Sequence, residues 1–129
     1  MTAPQGAASQ GYVPGRHRID DYGNGGFRFA DMSHRGSIMA MPTGVRAIAP
    51  AAWNEIQAAT IEQALAESGE LDLFIVGTGK DLMPLASALR ARLRDAGVGC
   101  ETMSTGAAVR TYNMLVDEGR RVAALLIAI

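Results

Sequence analysis

The chain has little of what disulfide-linked, metal-binding and nucleic-acid-binding proteins require. Its one cysteine, Cys100, excludes an internal disulfide and any zinc or iron–sulfur site built from several cysteines. The formal net charge is −1 and aromatic residues make up 5% of the chain, whereas proteins that bind nucleic acids normally carry a basic excess. We therefore expect no nucleic-acid partner, and a lone thiol fits a reducing, cytoplasmic location.

Long hydrophobic runs are missing too. The longest, Val122–Ile129, is far shorter than the roughly 20 apolar residues that a helix needs to cross a bilayer. Residues 1–10 lack the basic start and apolar core of a secretory signal peptide, so no insertion into a membrane is predicted. Because Val122–Ile129 is apolar to its last residue, it forms either the centre of a sheet or an exposed edge that favours homo-oligomers. The sequence leaves both alternatives open.

Known catalytic and metal-binding patterns are also absent. His17 and His34 lie in polar, loop-like sequence and have no metal-ligand spacing. Cys100 falls in a segment typical of inert packing, and Ser104 and Thr105 have no general base nearby in the sequence. With no triad, paired carboxylates or metal-ligand cluster, the sequence predicts no cofactor and no metal. It favours a non-catalytic protein over an enzyme.

What remains is an ordinary globular composition, with 48% hydrophobic and 19% charged residues over a length that suits one domain. Residues 1–17 are small, polar and rich in glycine and proline, so we predict a flexible tail followed by a single domain over 18–129. Within 18–49, short apolar–polar segments alternate with turns at Asn24-Gly25 and over 31–36. This part of the chain predicts an N-terminal β-meander.

The rest of the chain predicts strands alternating with helices. The apolar run Leu71–Val76 suits a strand that is covered on both faces, and further strands are expected over 98–103 and 121–129. Ser104 or Thr105 caps the helix between the last two. The order of these elements predicts an α/β fold in which the meander forms an additional layer.

The first two helices have different signals. Pro50–Ser68 fits either one long helix or a strand that continues to Trp53 before a helix capped at Thr60, and we adopt the second interpretation. Pro84 favours the start of the next helix, because the N–H group that proline lacks would have no hydrogen-bond partner in the first turn of a helix. The apolar stripe of that helix comprises Leu82, Leu85, Ala86, Leu89 and Leu93.

The first candidate site is a glycine turn, Gly77-Thr78-Gly79-Lys80, which follows the apolar strand. It is not a P-loop, because Phe74 replaces the first glycine and Asp81 follows the lysine, and Leu82 breaks the dinucleotide pattern. Two interpretations remain. The glycines serve a tight turn, or the turn forms a ligand pocket with its backbone amides and the Lys80 ammonium group.

The second candidate site is Arg110-Thr111-Tyr112-Asn113 on the third helix. Arg110 and Asn113 share one face of the helix, and the start of this helix is expected at the same sheet edge as the glycine turn. Arg110 then recognises a carboxylate, a phosphate or an acidic group of a partner. The alternative is a solvated arginine, or one paired with Asp117 or Glu118.

Together these segments resemble a known family. The resemblance covers residues 18–129 and rests on Tyr22, Gly26-Phe27-Arg28-Phe29, Gly36-Ser37, Pro42-Thr43-Gly44-Val45, Trp53, Phe74-Ile75-Val76-Gly77-Thr78-Gly79, Pro84, Arg110-Thr111-Tyr112-Asn113-Met114-Leu115 and Glu118-Gly119-Arg120-Arg121-Val122. They resemble the Mth938-like domain family, a domain of unknown function whose eukaryotic members include the mitochondrial NADH dehydrogenase (complex I) assembly factor 3.

The resemblance implies a three-layer α/β fold with a mixed central sheet and an extra β-layer, and it favours a strand through Trp53. It supplies no catalytic residues and implies protein partners rather than turnover. The first hypothesis is therefore a non-catalytic interaction domain that assists assembly of a respiratory or other membrane-associated complex. The alternative is a small-molecule or anion site, or an enzyme of unknown reaction, between the glycine turn and the third helix. The candidate residues are Gly77, Thr78, Gly79, Lys80, Arg110, Thr111, Tyr112 and Asn113.

Overall fold

A computed structural model describes residues 11–129. A short 3₁₀ turn, Trp53–Glu55, follows the sixth strand. In chain order the other elements are β1 (Tyr12–Pro14), β2 (Asp21–Gly23), β3 (Gly26–Phe29), β4 (Met32–Arg35), β5 (Ile38–Ala40), β6 (Gly44–Ala47), α1 (Ala58–Ser68), β7 (Leu73–Gly77), α2 (Ser87–Asp95), β8 (Gly99–Met103), α3 (Thr105–Asp117) and β9 (Val122–Leu126).

The last strand lies in the middle of a six-stranded sheet. The strand order is β1-β6-β5-β9-β7-β8, in which β7 runs parallel to both β9 and β8 and the other pairs are antiparallel. Every residue of β9 is buried, because its apolar side chains are covered on both faces of the sheet. The structure therefore decides between the two alternatives for this strand in favour of the centre.

Two further layers cover this mixed sheet. On one face, Phe74 packs in a buried cluster with Ile61 of α1 and the apolar side chains of α2. On the other face, Ile75 packs in a cluster with Tyr112 of α3 and Phe27 of β3. Phe74 and Ile75, which are neighbours on β7, thus pack into opposite layers, because successive side chains of a strand point to opposite faces of the sheet. The prediction of a three-layer α/β fold with an additional β-layer is confirmed.

The predicted meander is divided between two sheets. Strands β2, β3 and β4 form a separate antiparallel sheet, whereas β5 and β6 join the central one. Asn24 and Gly25, with φ of 53° and 79°, make the expected two-residue hairpin. The turn predicted over 31–36 is wrong, because Met32–Arg35 is strand β4 and the turn lies at Ala30 and Asp31. Alanine rarely adopts the positive φ of 51° found at Ala30, so Asp31 was the one signal in the sequence for a turn at these two positions.

The extent of the predicted tail also differs from the structure. The flexible tail was predicted over 1–17; residues 1–10 lie outside the described part of the chain, but Tyr12–Pro14 pairs with β6 as an edge strand. The Arg46 guanidinium lies 4.6 Å from the centre of the Tyr12 ring, which covers Gly44. A strand of three residues has too little pattern to be recognised without its neighbour.

Helix α1 begins earlier than the sequence predicted, and helix α2 begins later. Trp53 lies in a 3₁₀ turn rather than a strand, and the cap predicted at Thr60 is wrong, because α1 begins after Gln57 with no side-chain cap. Helix α2 begins at Ser87 rather than Pro84, and Leu82 is 63% exposed instead of facing the core. The predicted cap of α3 is confirmed, since the Ser104 hydroxyl accepts a hydrogen bond from the helix backbone.

Candidate functional site

The glycine turn, Gly77–Lys80, lies at the carboxyl end of β7 and is packed against α3. Gly77 has no room for a side chain, because a Cβ atom would lie 3.0 Å from both the Thr105 Cα and the Ala108 Cβ. Gly79 has a φ of 110°, which disfavours any other residue. The two glycines therefore permit a close approach of helix and strand.

Thr105, which the sequence offered only as a helix cap, connects this turn to two other segments. Its hydroxyl donates a hydrogen bond of 2.7 Å to the Ile127 carbonyl and accepts one of 2.9 Å from the Gly79 amide. Its own amide donates to the Gly79 carbonyl at 2.8 Å. The side chain is fully buried, so these bonds are shielded from water. The Gly79 amide is consequently not available to a ligand.

Thr78 closes the remainder of the turn onto itself. Its hydroxyl donates to the Asp81 carbonyl at 2.7 Å and accepts from the Met83 amide at 2.9 Å. Because α2 begins only at Ser87, the helix N-terminus at the glycine turn is that of α3, whose first residue, Thr105, donates its amide to the Gly79 carbonyl. Of the four residues of the turn, Lys80 alone is exposed to solvent.

Both polar atoms of the Asn113 side chain, on α3, are hydrogen-bonded to the backbone of another segment. Its side-chain oxygen accepts from the Ile19 amide at 2.8 Å, and its side-chain nitrogen donates to the Ile19 carbonyl at 2.8 Å. This pair of bonds satisfies the backbone amide and carbonyl of Ile19, in the segment before β2. Thr111 is half-buried on the same helix, and Arg110 is exposed.

Tyr112 is completely buried between α3 and the central sheet. Burial raises the pKa of its hydroxyl to about 12, and the nearby Arg16 charge opposes that shift only in part. The hydroxyl has no hydrogen-bond partner among residues 11–129. Without access to solvent, this residue serves packing in the present structure.

The exposed part of α3 borders a cleft of about 480 Å³, called the α3 cleft below. Arg18 and Asp117 form an ion pair at its rim, and Met114 is 53% exposed within it. None of the glycine-turn residues lines this cleft. The glycine turn and Arg110 therefore do not share this cleft. The residues that line the cleft are Arg18, Arg110, Asn113, Met114, Asp117 and Glu118.

The remaining reactive side chains form no common centre. Cys100 is half-buried on β8, and desolvation raises the pKa of its thiol. The His17 Nε2 atom lies 2.9 Å from the Pro14 carbonyl oxygen, and the His34 ring lies 6.4 Å from that of Phe29. Across residues 11–129 there is no group of three or more histidine, cysteine, aspartate or glutamate side chains placed to hold a metal. In the same range, every helix is too short or too polar to cross a membrane.

Comparison with known proteins supplies the family. The model of a family described as "Protein of unknown function (DUF498/DUF598)" matches residues 19–127. An uncharacterized protein of Rhodobacter capsulatus is 38% identical over 97% of this chain and 92% of its own length.

Two solved structures are similar over most of their length. A Bartonella henselae protein described as an outer membrane protein is 50% identical, with 89% of this chain and 97% of that chain covered and a TM-score of 0.84. A Bordetella pertussis protein described as a Mth938-like domain is 30% identical, with 85% and 84% covered and a TM-score of 0.73. The chain therefore belongs to the DUF498/DUF598 family and has the Mth938-like fold.

Proposed function

We propose that this domain is a non-catalytic interaction domain that holds a partner protein against the exposed face of α3. Arg110 and Met114 lie one helical turn apart on this face, inside the α3 cleft. An exposed methionine offers an adaptable apolar contact, and an arginine offers a planar pair of donors for a carboxylate. The partner segment therefore has an apolar side chain next to an acidic one.

The observation that carries this proposal is the exposure of Met114, 53% of whose surface is open beside a charged side chain. Single exposed apolar residues are common on protein surfaces, but here the methionine belongs to a concave surface. Arg18, which shares the cleft, is already paired with Asp117, whereas Arg110 has no carboxylate partner among the described residues.

We place this role in assembly of a respiratory or other membrane-associated complex in the cytoplasm. The resemblance to a family whose eukaryotic members include a complex I assembly factor supports that choice, and the single free thiol, Cys100, supports a reducing compartment. No covalent chemistry is required of the domain in this role. Its task is to bind a subunit that lacks its final partners and to release it.

The test is recovery of the partner at native expression levels. Tagged wild type and the control Arg94→Glu, an exposed residue of α2 on the opposite layer, should each recover one partner in stoichiometric amount. Combined Arg110→Glu and Met114→Asp substitutions should reduce recovery about tenfold or more, because both contacts lie at the centre of the proposed interface. Equal recovery by all three proteins, or no stoichiometric partner for wild type, contradicts the proposal.

The assembly role has a separate readout. Deletion of the gene should lower the amount of an intact respiratory complex, and wild type but not the doubly substituted protein should restore it. Intact complexes in the deletion strain overturn this part of the proposal. Sedimentation of the purified protein tests whether the partner is a second copy of the chain, since a dimer lost upon the double substitution identifies a homo-oligomer.

The alternative function, a ligand site shared by the glycine turn and the α3 residues, has less support. The Gly79 amide and the Thr78 hydroxyl are already bonded within the chain, and Arg110 lines a cleft that the glycine turn does not line. A thermal-shift screen of phosphates, carboxylates and nucleotides tests it. A stabilising ligand whose effect disappears in Arg110→Ala and also in Lys80→Ala would favour this function over the interaction domain.

A further inference from the structure

A second cleft, of about 390 Å³, lies on the three-stranded sheet and is called the β2–β4 cleft below. Its volume falls within the range of about 300–1,000 Å³ that is usual for small-molecule sites. No residue of the α3 cleft lines it, so the two surfaces are separate. The residues that line it are Asp21, Tyr22, Gly23, Asn24, Gly26, Phe27, Arg28, Ser33, His34 and Arg35.

Strand register brings two arginines to one face of this sheet. Arg28 of β3 lies opposite Ser33 of β4, and Arg35 is two residues further along β4. Residues in such diagonal positions on one face have Cα atoms about 7–8 Å apart, well within the reach of two arginine side chains. Both arginines are exposed, so their guanidinium groups can converge above the sheet.

The residues that lie across the sheet from Arg35, on the two neighbouring strands, are both glycines. Gly26 lies opposite Arg35, and Gly23 lies opposite Gly26 on the other side. Gly26 must be glycine, because a Cβ atom would lie 2.1 Å from the His34 carbonyl oxygen. A Cβ atom at Gly23 would meet nothing within 4 Å, so the space above it is open. The glycines therefore leave a floor of bare backbone next to the two guanidinium groups.

The two arginines of this cleft differ from four other arginines in their charged partners. Arg18, Arg46, Arg92 and Arg120 each form an ion pair with a carboxylate. Over residues 11–129, neither Arg28 nor Arg35 has such a pair; Arg28 donates only to the uncharged Ser33 hydroxyl, at 2.9 Å. Asp21 lies directly opposite Arg28 in the strand register, but its carboxylate accepts a hydrogen bond of 2.8 Å from the Tyr22 amide and forms no ion pair with Arg28.

We propose that the β2–β4 cleft binds a small organic anion through Arg28 and Arg35. A carboxylate or phosphate group lies between the two guanidinium groups. Each guanidinium group forms paired hydrogen bonds with the oxygens of such a planar or tetrahedral group. The rest of the ligand lies over the glycine floor, where no side chain obstructs it. This site is independent of the proposed function of α3, so either can fail without the other.

The test is an NMR titration of the full chain at low ionic strength, with inorganic phosphate in one arm and succinate in the other. Either anion should shift the amide signals of Gly23, Gly26, Arg28 and Arg35 in a saturable way, and the tighter arm identifies the charged group. Combined Arg28→Gln and Arg35→Gln substitutions should weaken binding about tenfold or more, because charge-assisted bonds are lost. The matched control Arg94→Gln, on α2, should bind as wild type does.

A second variant separates specific recognition from diffuse charge attraction. Arg28→Lys combined with Arg35→Lys keeps both charges but lacks the paired donors, so binding should also weaken, by roughly tenfold. Shifts that are absent in wild type, or that persist in the glutamine variant, overturn the proposal. Unchanged binding by the lysine variant overturns it as well, because charge attraction alone does not require the paired hydrogen bonds of the proposed site. Signals outside the cleft report that each variant remains folded.

Discussion

At the scale of single residues, the hydroxyl of Thr105 holds three parts of the chain together. It donates to the Ile127 carbonyl and accepts from the Gly79 amide inside the core. Replacement of Thr105 by valine keeps the shape but leaves both backbone groups buried without partners. We expect the free energy of unfolding to fall by about 2–4 kcal/mol, measured by urea denaturation.

The control for this prediction is Thr102→Val on β8. Thr102 is half-buried, its hydroxyl has no partner among residues 11–129, and valine is favoured in strands. Its stability should stay within about 0.5 kcal/mol of wild type. If Thr105→Val is equally neutral, the connection between turn, helix and last strand contributes nothing to stability.

The buried hydroxyl of Tyr112 makes stability depend on pH in the alkaline range. Its pKa is about 12 in the folded chain against 10 for an unperturbed tyrosine. Between these values the unfolded chain has released the proton and the folded chain has kept it. The free energy of unfolding therefore falls as the pH rises through this window, by about 2 kcal/mol at its upper end, and is unaffected below it.

Replacement of Tyr112 by phenylalanine should remove that alkaline loss. At neutral pH the variant should be as stable as wild type or up to about 1 kcal/mol more stable, because it lacks a buried hydroxyl without a partner. Urea denaturation at pH 7 and at alkaline pH measures both effects, and the difference between the two proteins cancels the titration of other groups. Parallel pH profiles would contradict the assignment.

At the scale of elements, Asn113 attaches the segment before β2 to α3. Its two hydrogen bonds to Ile19 are the side-chain counterpart of a strand pairing. Asn113→Ala should lower the free energy of unfolding by about 1–3 kcal/mol and accelerate hydrogen exchange at the Ile19 amide. Asn54, exposed in the 3₁₀ turn, provides the control as Asn54→Ala. Unchanged exchange at Ile19 would show that other contacts hold this segment.

The elements that were predicted correctly have strong local signals. The hairpin at Asn24-Gly25 and the Ser104 cap each depend on residue types within a few positions. The late start of α2 at Ser87 was missed, because the extended segment before it is held by the Thr78 hydroxyl bonds to the turn. Those bonds depend on folding of the turn, which periodicity along a helix does not encode.

At the scale of the whole molecule, the central place of β9 determines where stability is concentrated. Leu125 is fully buried in this strand, whereas Leu82 is 63% exposed. The same leucine-to-alanine substitution should therefore cost about 2–5 kcal/mol at Leu125 and less than about 0.5 kcal/mol at Leu82. Thermal or urea unfolding of the two variants measures the contrast. Similar losses at both positions would contradict the strand order.

The surfaces of the molecule depend on the same layering. The α3 cleft and the β2–β4 cleft belong to elements that cover the same face of the central sheet, yet they share no lining residue. Arg110 was singled out by its place on a helix. Arg28 and Arg35 were not, because only the register of two strands brings them to one face. A search by sequence spacing therefore finds the first cleft and misses the second.

Sequence alone determined the α/β class, the family and the strands and helices whose signals are local, such as the apolar run of β7 and the glycine that ends α3. Only the tertiary structure decided that β9 is central, that Tyr12–Pro14 pairs with β6, and that the glycine turn does not line the cleft that contains Arg110. The reason is physical: burial and hydrogen bonding join residues that are distant in the chain. The sequence around Gly79, for example, does not indicate that its amide will donate to the Thr105 hydroxyl.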